Sequence, residues 1–305
     1  MNTLEPPKEV SDLYTHSSST KLPLRVGLLL TDTFRLNWVA TSVIRDIRRS
    51  DFAKLELIIR NSRRDDPSRT QSIWGESGER SHQQERSALL WRLYRRFDRR
   101  VRGTEIDPLE TADCESMLKN VNRLTIGMEA SENEQSPAKD LAALYAKDLD
   151  VLLHFGFATD YGAISKAARF GIWSLHYSDY DYYRGGPPYF WELYERNLLS
   201  GLTLILSDEL GTRGVLAKAL FPTELGLSVR RNAARPLWGC SQLVMQKLWE
   251  LHVFGWDFVK SRLRPSTPYL GRRKNYRSPT NMEVLRWFAP EATAKSCRRA
   301  MWALT

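Results

Sequence analysis

A chain of 305 residues with 42% hydrophobic and 11% aromatic side chains has enough apolar material for one large α/β domain with an appended element. Its apolar runs are only strand-length, which excludes a membrane-spanning helix. The three cysteines, Cys114, Cys240 and Cys297, are far apart and odd in number. They exclude a disulfide framework or paired metal-ligand spacing and make a reducing, cytoplasmic setting the expectation. The +9 net charge, from 45 basic and 36 acidic residues, favours an anionic partner without naming one.

In chain order, residues 1–22 are polar and read as a disordered lead-in. Leu24–Leu30 is a short apolar run, the segment from Trp38 to Ile47 has helical period, and Leu55–Ile59 is apolar again. The opening therefore reads as βαβ. A polar insertion spans about 61–86. An arginine-rich helix follows near Ser87–Val101, carrying Arg92, Arg95, Arg96, Arg99, Arg100 and Arg102. The simplest reading of that run is a solvated face; a nucleic acid, an anionic membrane surface or a phosphorylated substrate are the open alternatives.

Ser131–Pro137 reads as irregular, with helical periodicity resuming over Ala138–Lys147. The second half then alternates: strand Asp150–Phe155, helix Gly162–Phe170, strand Gly171–Leu175, helix Pro188–Leu198 and strand Leu202–Leu206. Such alternation predicts an α/β fold with a Rossmann-like, doubly wound, mostly parallel sheet over residues 23–225. From 226 to 305 the pattern is mainly helical and basic. Val244, Leu248, Leu251 and Phe254 share one face, Pro265–Pro279 forms a connector, and a last helix starts near Asn281.

Ligands of an open parallel sheet sit beyond the carboxyl ends of its strands, so His176 at the end of Gly171–Leu175 is the first candidate site residue. The segment after it, Tyr177–Tyr189, holds five tyrosines, Asp179, Asp181, Arg184 and the turn Gly185-Gly186-Pro187-Pro188, a composition suited to a cleft rim. Arg184 either clamps a phosphate or carboxylate or pairs with Asp179 or Asp181. The two aspartates read as surface residues rather than metal ligands, and no metal is expected. His154 reads as a core histidine, and Trp38, Trp191 and Trp287 as core residues. Arg230, Arg231 and Arg235 read as a helix-start surface cluster, with binding of a substrate phosphate as the open alternative. No Gly-x-Gly-x-x-Gly follows the first strand, so a nicotinamide dinucleotide site has little support.

Residues Asp150 to about Thr223 resemble the catalytic half of the folate-dependent formyltransferases, the group that includes methionyl-tRNA, glycinamide ribonucleotide and sugar-nucleotide enzymes. The features that carry the resemblance recur in order: Ser174-Leu175-His176-Tyr177-Ser178, Arg184-Gly185-Gly186-Pro187-Pro188, Trp191, Gly201-Leu202-Thr203, and Leu210-Gly211-Thr212-Arg213-Gly214. A closer resemblance is to bacterial formyltransferase-like proteins with Trp-Ser-x-His, Phe190-Trp191-Glu192 and Ser228-Val229-Arg230-Arg231-Asn232.

The resemblance implies 10-formyltetrahydrofolate as donor and a small-molecule amine or sugar-nucleotide substrate as acceptor. It makes His176 the central catalytic group and Ser174 the counterpart of the family asparagine that hydrogen-bonds the developing oxyanion. The family aspartate falls at Gly211 or Thr212 here, so Asp208 or Glu209 would have to stand in from outside the expected loop position. Phe157, on the loop after Asp150–Phe155, either takes the pterin ring or belongs to an ordinary strand-to-helix turn, and Arg184, Gly185 and Gly186 complete the binding set. A catalytically degenerate fold kept as a binding or assembly module is the alternative, and nucleic acid binding through the basic helices is not excluded.

Overall fold

The computed structural model describes residues 14–30, 35–61, 89–101, 108, 111–113, 115–126, 136–155, 162–207, 213–265 and 268–289. The expected insertion at 61–86 and the site candidates Phe157 and Asp208 lie outside them, Asn61 excepted.

β1 (Leu24–Leu30) is the middle one of the five parallel strands in an eight-stranded sheet. It is buried along nearly its whole length, as a near-continuous apolar run requires when both faces of a parallel sheet are covered. β2 (Arg35–Asn37) pairs with β4 (Thr111–Asp113), and α1 (Trp38–Arg49) follows directly, its amino end capped where the Asn37 side chain accepts from Ala40 N at 2.8 Å. β3 (Ala53–Asn61) pairs with β1 in parallel. α2 (Leu89–Val101), α3 (Glu115–Leu118), β5 (Asn122–Ile126) and α4 (Ser136–Tyr145) lead to β6 (Val151–Phe155).

A 3₁₀ turn, Gly162–Ala167, stands where an α-helix was expected, before β7 (Ile172–His176). α5 (Phe190–Tyr194) is far shorter than the expected Pro188–Leu198. Arg196, at φ 54°, takes the left-handed cap, with Arg196 N donating to Leu193 O (3.2 Å) and Asn197 N to Glu192 O (2.8 Å) to stop the helix. Then come β8 (Leu199–Ser207), β9 (Arg213–Pro222), α6 (Val229–Trp238), α7 (Cys240–Phe254), α8 (Trp256–Ser261), β10 (Arg264–Pro265) and α9 (281–289).

The strand order is β10-β9-β8-β7-β6-β1-β3-β5. Strands β5 to β7 are mutually parallel, and the order reverses between β1 and β6, the switch point at which such sheets bind ligands. β8, expected as one more parallel strand, runs antiparallel to β7, and β9 antiparallel to β8. Helix α5 is too short to carry the chain back across the sheet, so β8 starts at the end where β7 finishes.

One face of the sheet packs against α1, α2, α6 and α7, with Val39, Ile44, Trp91, Leu237 and Leu248 in a single cluster with Val26, Leu28 and Leu204. The other face packs Leu144 and Ile164 against Leu29, Leu57 and Ile172. Of the expected α7 face, Val244, Leu248 and Leu251 are buried, whereas Phe254, in the last turn, is half exposed. Trp191 and Trp287 are core residues, and Trp38 is only partly buried. His154 is buried within β6.

The lead-in expected to be disordered is tied down over its described part. Ser17 N donates to Asp51 Oδ1 (2.9 Å), Ser17 Oγ bonds His252 Nδ1 (2.8 Å), and Lys21 Nζ donates to the His252 and Val253 carbonyls (3.1 Å each) at the end of α7. The Ser228–Asn232 motif is structural. Ser228 Oγ accepts from Arg231 N (3.2 Å) as the α6 cap, while Asn232 Nδ2 donates to Tyr189 O (3.2 Å) and Ser200 Oγ (3.1 Å) and its Oδ1 accepts from Glu224 N (2.9 Å). Replacing Asn232 by Ala strands these buried groups. It should cost about 2–4 kcal/mol in urea unfolding; a loss within experimental error would show that the three segments hold together without it.

Candidate functional site

β7 alternates strictly. Ile172, Ser174 and His176 face one side of the sheet, and Trp173 and Leu175 the larger core. Ser174 is buried beside His154 of β6 and Ile205 of β8, while His176 lies one pleat further, opposite Thr203, at the carboxyl end of the strand.

The His176 ring is held in a defined orientation. Nε2 lies 2.6 Å from the Tyr183 carbonyl, and because a carbonyl only accepts, Nε2 carries the hydrogen. The lone pair is therefore on Nδ1. The ring meets Tyr180 edge to face at 5.1 Å. Burial pushes the imidazole pKa down to about 4. The Tyr183 carbonyl and the charge of Asp179 pull it up, Arg184 pushes it down, and burial prevails, so the ring is neutral at pH 7.

The Tyr183 carbonyl can orient His176 because the whole loop 177–183 is folded back on β8 and β9. Thr203 Oγ1 donates to Ser178 O (3.0 Å) and accepts from Tyr180 N (3.2 Å). Gly201 is required because a side-chain carbon there would fall 2.4 Å from the Asp179 backbone nitrogen. These contacts account for the Gly201-Leu202-Thr203 motif as a seat for the loop.

Asp179 and Asp181, expected at the surface, are 8% and 6% exposed, and both are paired with Lys218 of β9. Lys218 escaped notice in the sequence because β9 did. A lone lysine among Val215, Leu216, Ala217, Ala219 and Leu220 was the available signal.

Arg184 is not the aspartates' partner. Its Nε donates to Tyr180 O (3.1 Å), and its guanidinium lies 4.3 Å from the Tyr180 ring centre and 4.7 Å from that of Tyr269, leaving buried Nη2 without a hydrogen-bond partner among the described residues. Gly185, at φ 98°, is pressed on the C-terminal connector, where a side-chain carbon would meet the Tyr276 carbonyl at 2.2 Å. Tyr276 N donates to Arg184 O (2.7 Å) and Gly186 N to Tyr276 O (3.0 Å). The Arg184–Gly186 turn is thus a joint between two parts of the chain, and Tyr269 and Tyr276 belong to the site although no motif announced them.

Glu192, 1% exposed, accepts from Ser178 Oγ at 2.8 Å through Oε1, and its Oε2 has no hydrogen-bond partner among the described residues. Burial raises its pKa to about 7.

No family model and no curated protein matches the chain. In fold it is similar to formyltransferases of solved structure. Glycinamide ribonucleotide transformylase 1 from Geobacillus kaustophilus is 14% identical, with a TM-score of 0.48 over 75% of this chain and 99% of that one. The corresponding protein from Symbiobacterium toebii is 14% identical, with a TM-score of 0.49 over 82% and 100%. A sugar 3N-formyl transferase, solved in the presence of dTDP and 5-N-formyl-THF, is 12% identical, with a TM-score of 0.44 over 87% and 78%.

Two predictions follow from this geometry. By NMR, His176 should titrate near pH 4 rather than 6.5. Its depressed pKa makes the native state lose stability as pH falls from about 6.5 toward 4, whereas the raised pKa of Glu192 favours the native state below about 4.5 and loses that contribution as pH rises through about 7. The opposed slopes separate in His176→Gln and Glu192→Gln, and a His176 midpoint near 6.5 would refute the buried, neutral ring. Lys218→Met should destabilise by about 3–5 kcal/mol at neutral pH by leaving Asp179 and Asp181 buried without their cation, while a further Asp179→Asn and Asp181→Asn should restore much of it. Equal instability of the single and triple variants would argue against an ionic clamp.

Proposed function

We propose that this protein transfers a formyl group from 10-formyltetrahydrofolate to a primary amine, such as that of an amino sugar or sugar nucleotide. The observation that carries this reading is His176, at the carboxyl end of β7, with Nε2–H committed to Tyr183 O and Nδ1 left with a lone pair and no hydrogen-bond partner among the described residues. When bound, the reduced folate supplies an activated formyl carbon.

The chain's own groups divide the remaining work. A neutral imidazole accepts a proton from an amine nitrogen that becomes acidic as its bond to carbon forms, so His176 Nδ1 is the base. Orphaned Arg184 Nη2 fits a carbonyl oxygen or an anionic group, and stacking between Tyr180 and Tyr269 holds it ready. Ser174 assists from the same face of β7. Phe157 and Asp208 enter this proposal on sequence alone, as the pterin platform and the carboxylate stand-in.

A second reading, a binding module that keeps the fold, is favoured by one observation: an imidazole held near pKa 4 is a weak base, and the sequence has Gly211-Thr212 where the family places its aspartate.

Thermal unfolding with and without 5-formyltetrahydrofolate, run beside a formyl-transfer assay over a panel of primary amines, separates the readings. Ligand at 100 times its Kd should stabilise by about 2.7 kcal/mol. His176→Ala should keep that shift and lose about 100- to 10,000-fold in turnover. A shift without turnover selects the binding module, and the absence of a shift in folded protein sinks the folate reading.

A further inference from the structure

Helix α2 has two faces that call for different surroundings. Its inner face is anchored: Trp91 and Tyr94 are in the core, Tyr94 Oη donates to Leu227 O (3.0 Å), and Asp98 accepts from Ser228 Oγ (2.7 Å) and Arg230 N (3.1 Å) at the start of α6. These contacts tie the inner face to the core and to the start of α6.

The outer face is not polar throughout, as a merely solvated face would be. Leu89, Leu93 and Phe97, at spacing i, i+4, i+8, are 49%, 49% and 61% exposed, so three large apolar side chains form one outward stripe. At about 100° per residue, Arg92, Arg96 and Arg99 fall on the adjoining arc and Arg100 on the stripe itself, beyond Phe97 at its carboxyl end; all four are exposed. Helix α9 packs beside α2 through Leu90 N to Asn281 Oδ1 (2.8 Å) and the Tyr94–Trp287 ring pair (5.1 Å), and it adds exposed Met282 and Leu285.

Phosphate alone explains the arginines and leaves the stripe without a use, since a nucleic acid backbone gains nothing from Leu93 and Phe97 in water. A water–lipid boundary uses both. Apolar side chains enter the acyl region, and guanidinium groups beside them meet anionic headgroups at the same depth. A helix of 13 residues, about 20 Å long, lies in that plane rather than crossing it.

We propose that the outer face of α2 is a docking surface for an anionic membrane. It seats the protein peripherally through Leu89, Leu93 and Phe97 with the arginines on phosphate headgroups. This inference does not depend on the formyl-transfer reading, and its test has no catalytic readout.

The test is co-sedimentation of the full chain with phosphatidylcholine vesicles, with and without phosphatidylglycerol. Binding should require phosphatidylglycerol. Leu93→Asp with Phe97→Asp should weaken it about tenfold or more, and so should Gln at positions 92, 96, 99 and 100. Both side chains are half exposed, so circular dichroism should show an intact fold; if the Asp variants lose it, Leu93→Ala with Phe97→Ala gives the same comparison. Three results would each overturn the proposal: no binding to phosphatidylglycerol vesicles; binding that ignores the apolar substitutions, which is attraction by charge alone; or a concentration-dependent dimer that the Asp variants dissolve, which makes a second copy the occupant.

Discussion

The orientation of His176 depends on one reversal of the chain: after β7 the backbone folds back on β8 and β9 and is held there by Lys218 between Asp179 and Asp181. Without that seat the Tyr183 carbonyl has no fixed place, and without the carbonyl His176 has no fixed tautomer. Burying three charges is costly, and their mutual attraction compensates only while all three are present. The gain is in definition, because Gly201 and Thr203 admit the loop in one register only.

The parallel half of the fold was legible in the sequence because its strands are buried on both faces and read as plain apolar runs; Leu24–Leu30 was found to the residue. β9 was not legible. It mixes Arg213, Lys218 and Ala219 with apolar residues near the edge of the sheet, and no period separates it from a loop. His176 and Arg184 were found through their motifs, but their partners were not. Tyr183, Lys218, Tyr269 and Tyr276 act through backbone atoms, a buried charge and ring stacking that only the folded chain brings within reach. The short α5 escaped for a related reason: it ends on a left-handed Arg196, where a glycine would have been the visible stop signal.

Two of the motifs that carried the family resemblance are as much structural as chemical. Gly201-Leu202-Thr203 seats a loop, and Gly185 admits the Tyr276 backbone. Ser228–Asn232, from the closer resemblance, ties α6 to α2 and β8. Such residues serve the fold whether or not the chemistry is present. A motif match of this kind is therefore better evidence for architecture than for turnover.

The joint between Arg184–Gly186 and Tyr276 has a consequence for how the molecule comes into being. A chain made from its amino end can assemble β1 to β7 while the connector has yet to be synthesised, so the turn beside His176 must wait, exposed and incomplete, for residues translated some ninety positions later. The part of the protein nearest its candidate chemistry is thus among the last to be finished. A ribosome that stops short of Tyr276 would release a sheet whose Arg184–Gly186 turn has never met its partner.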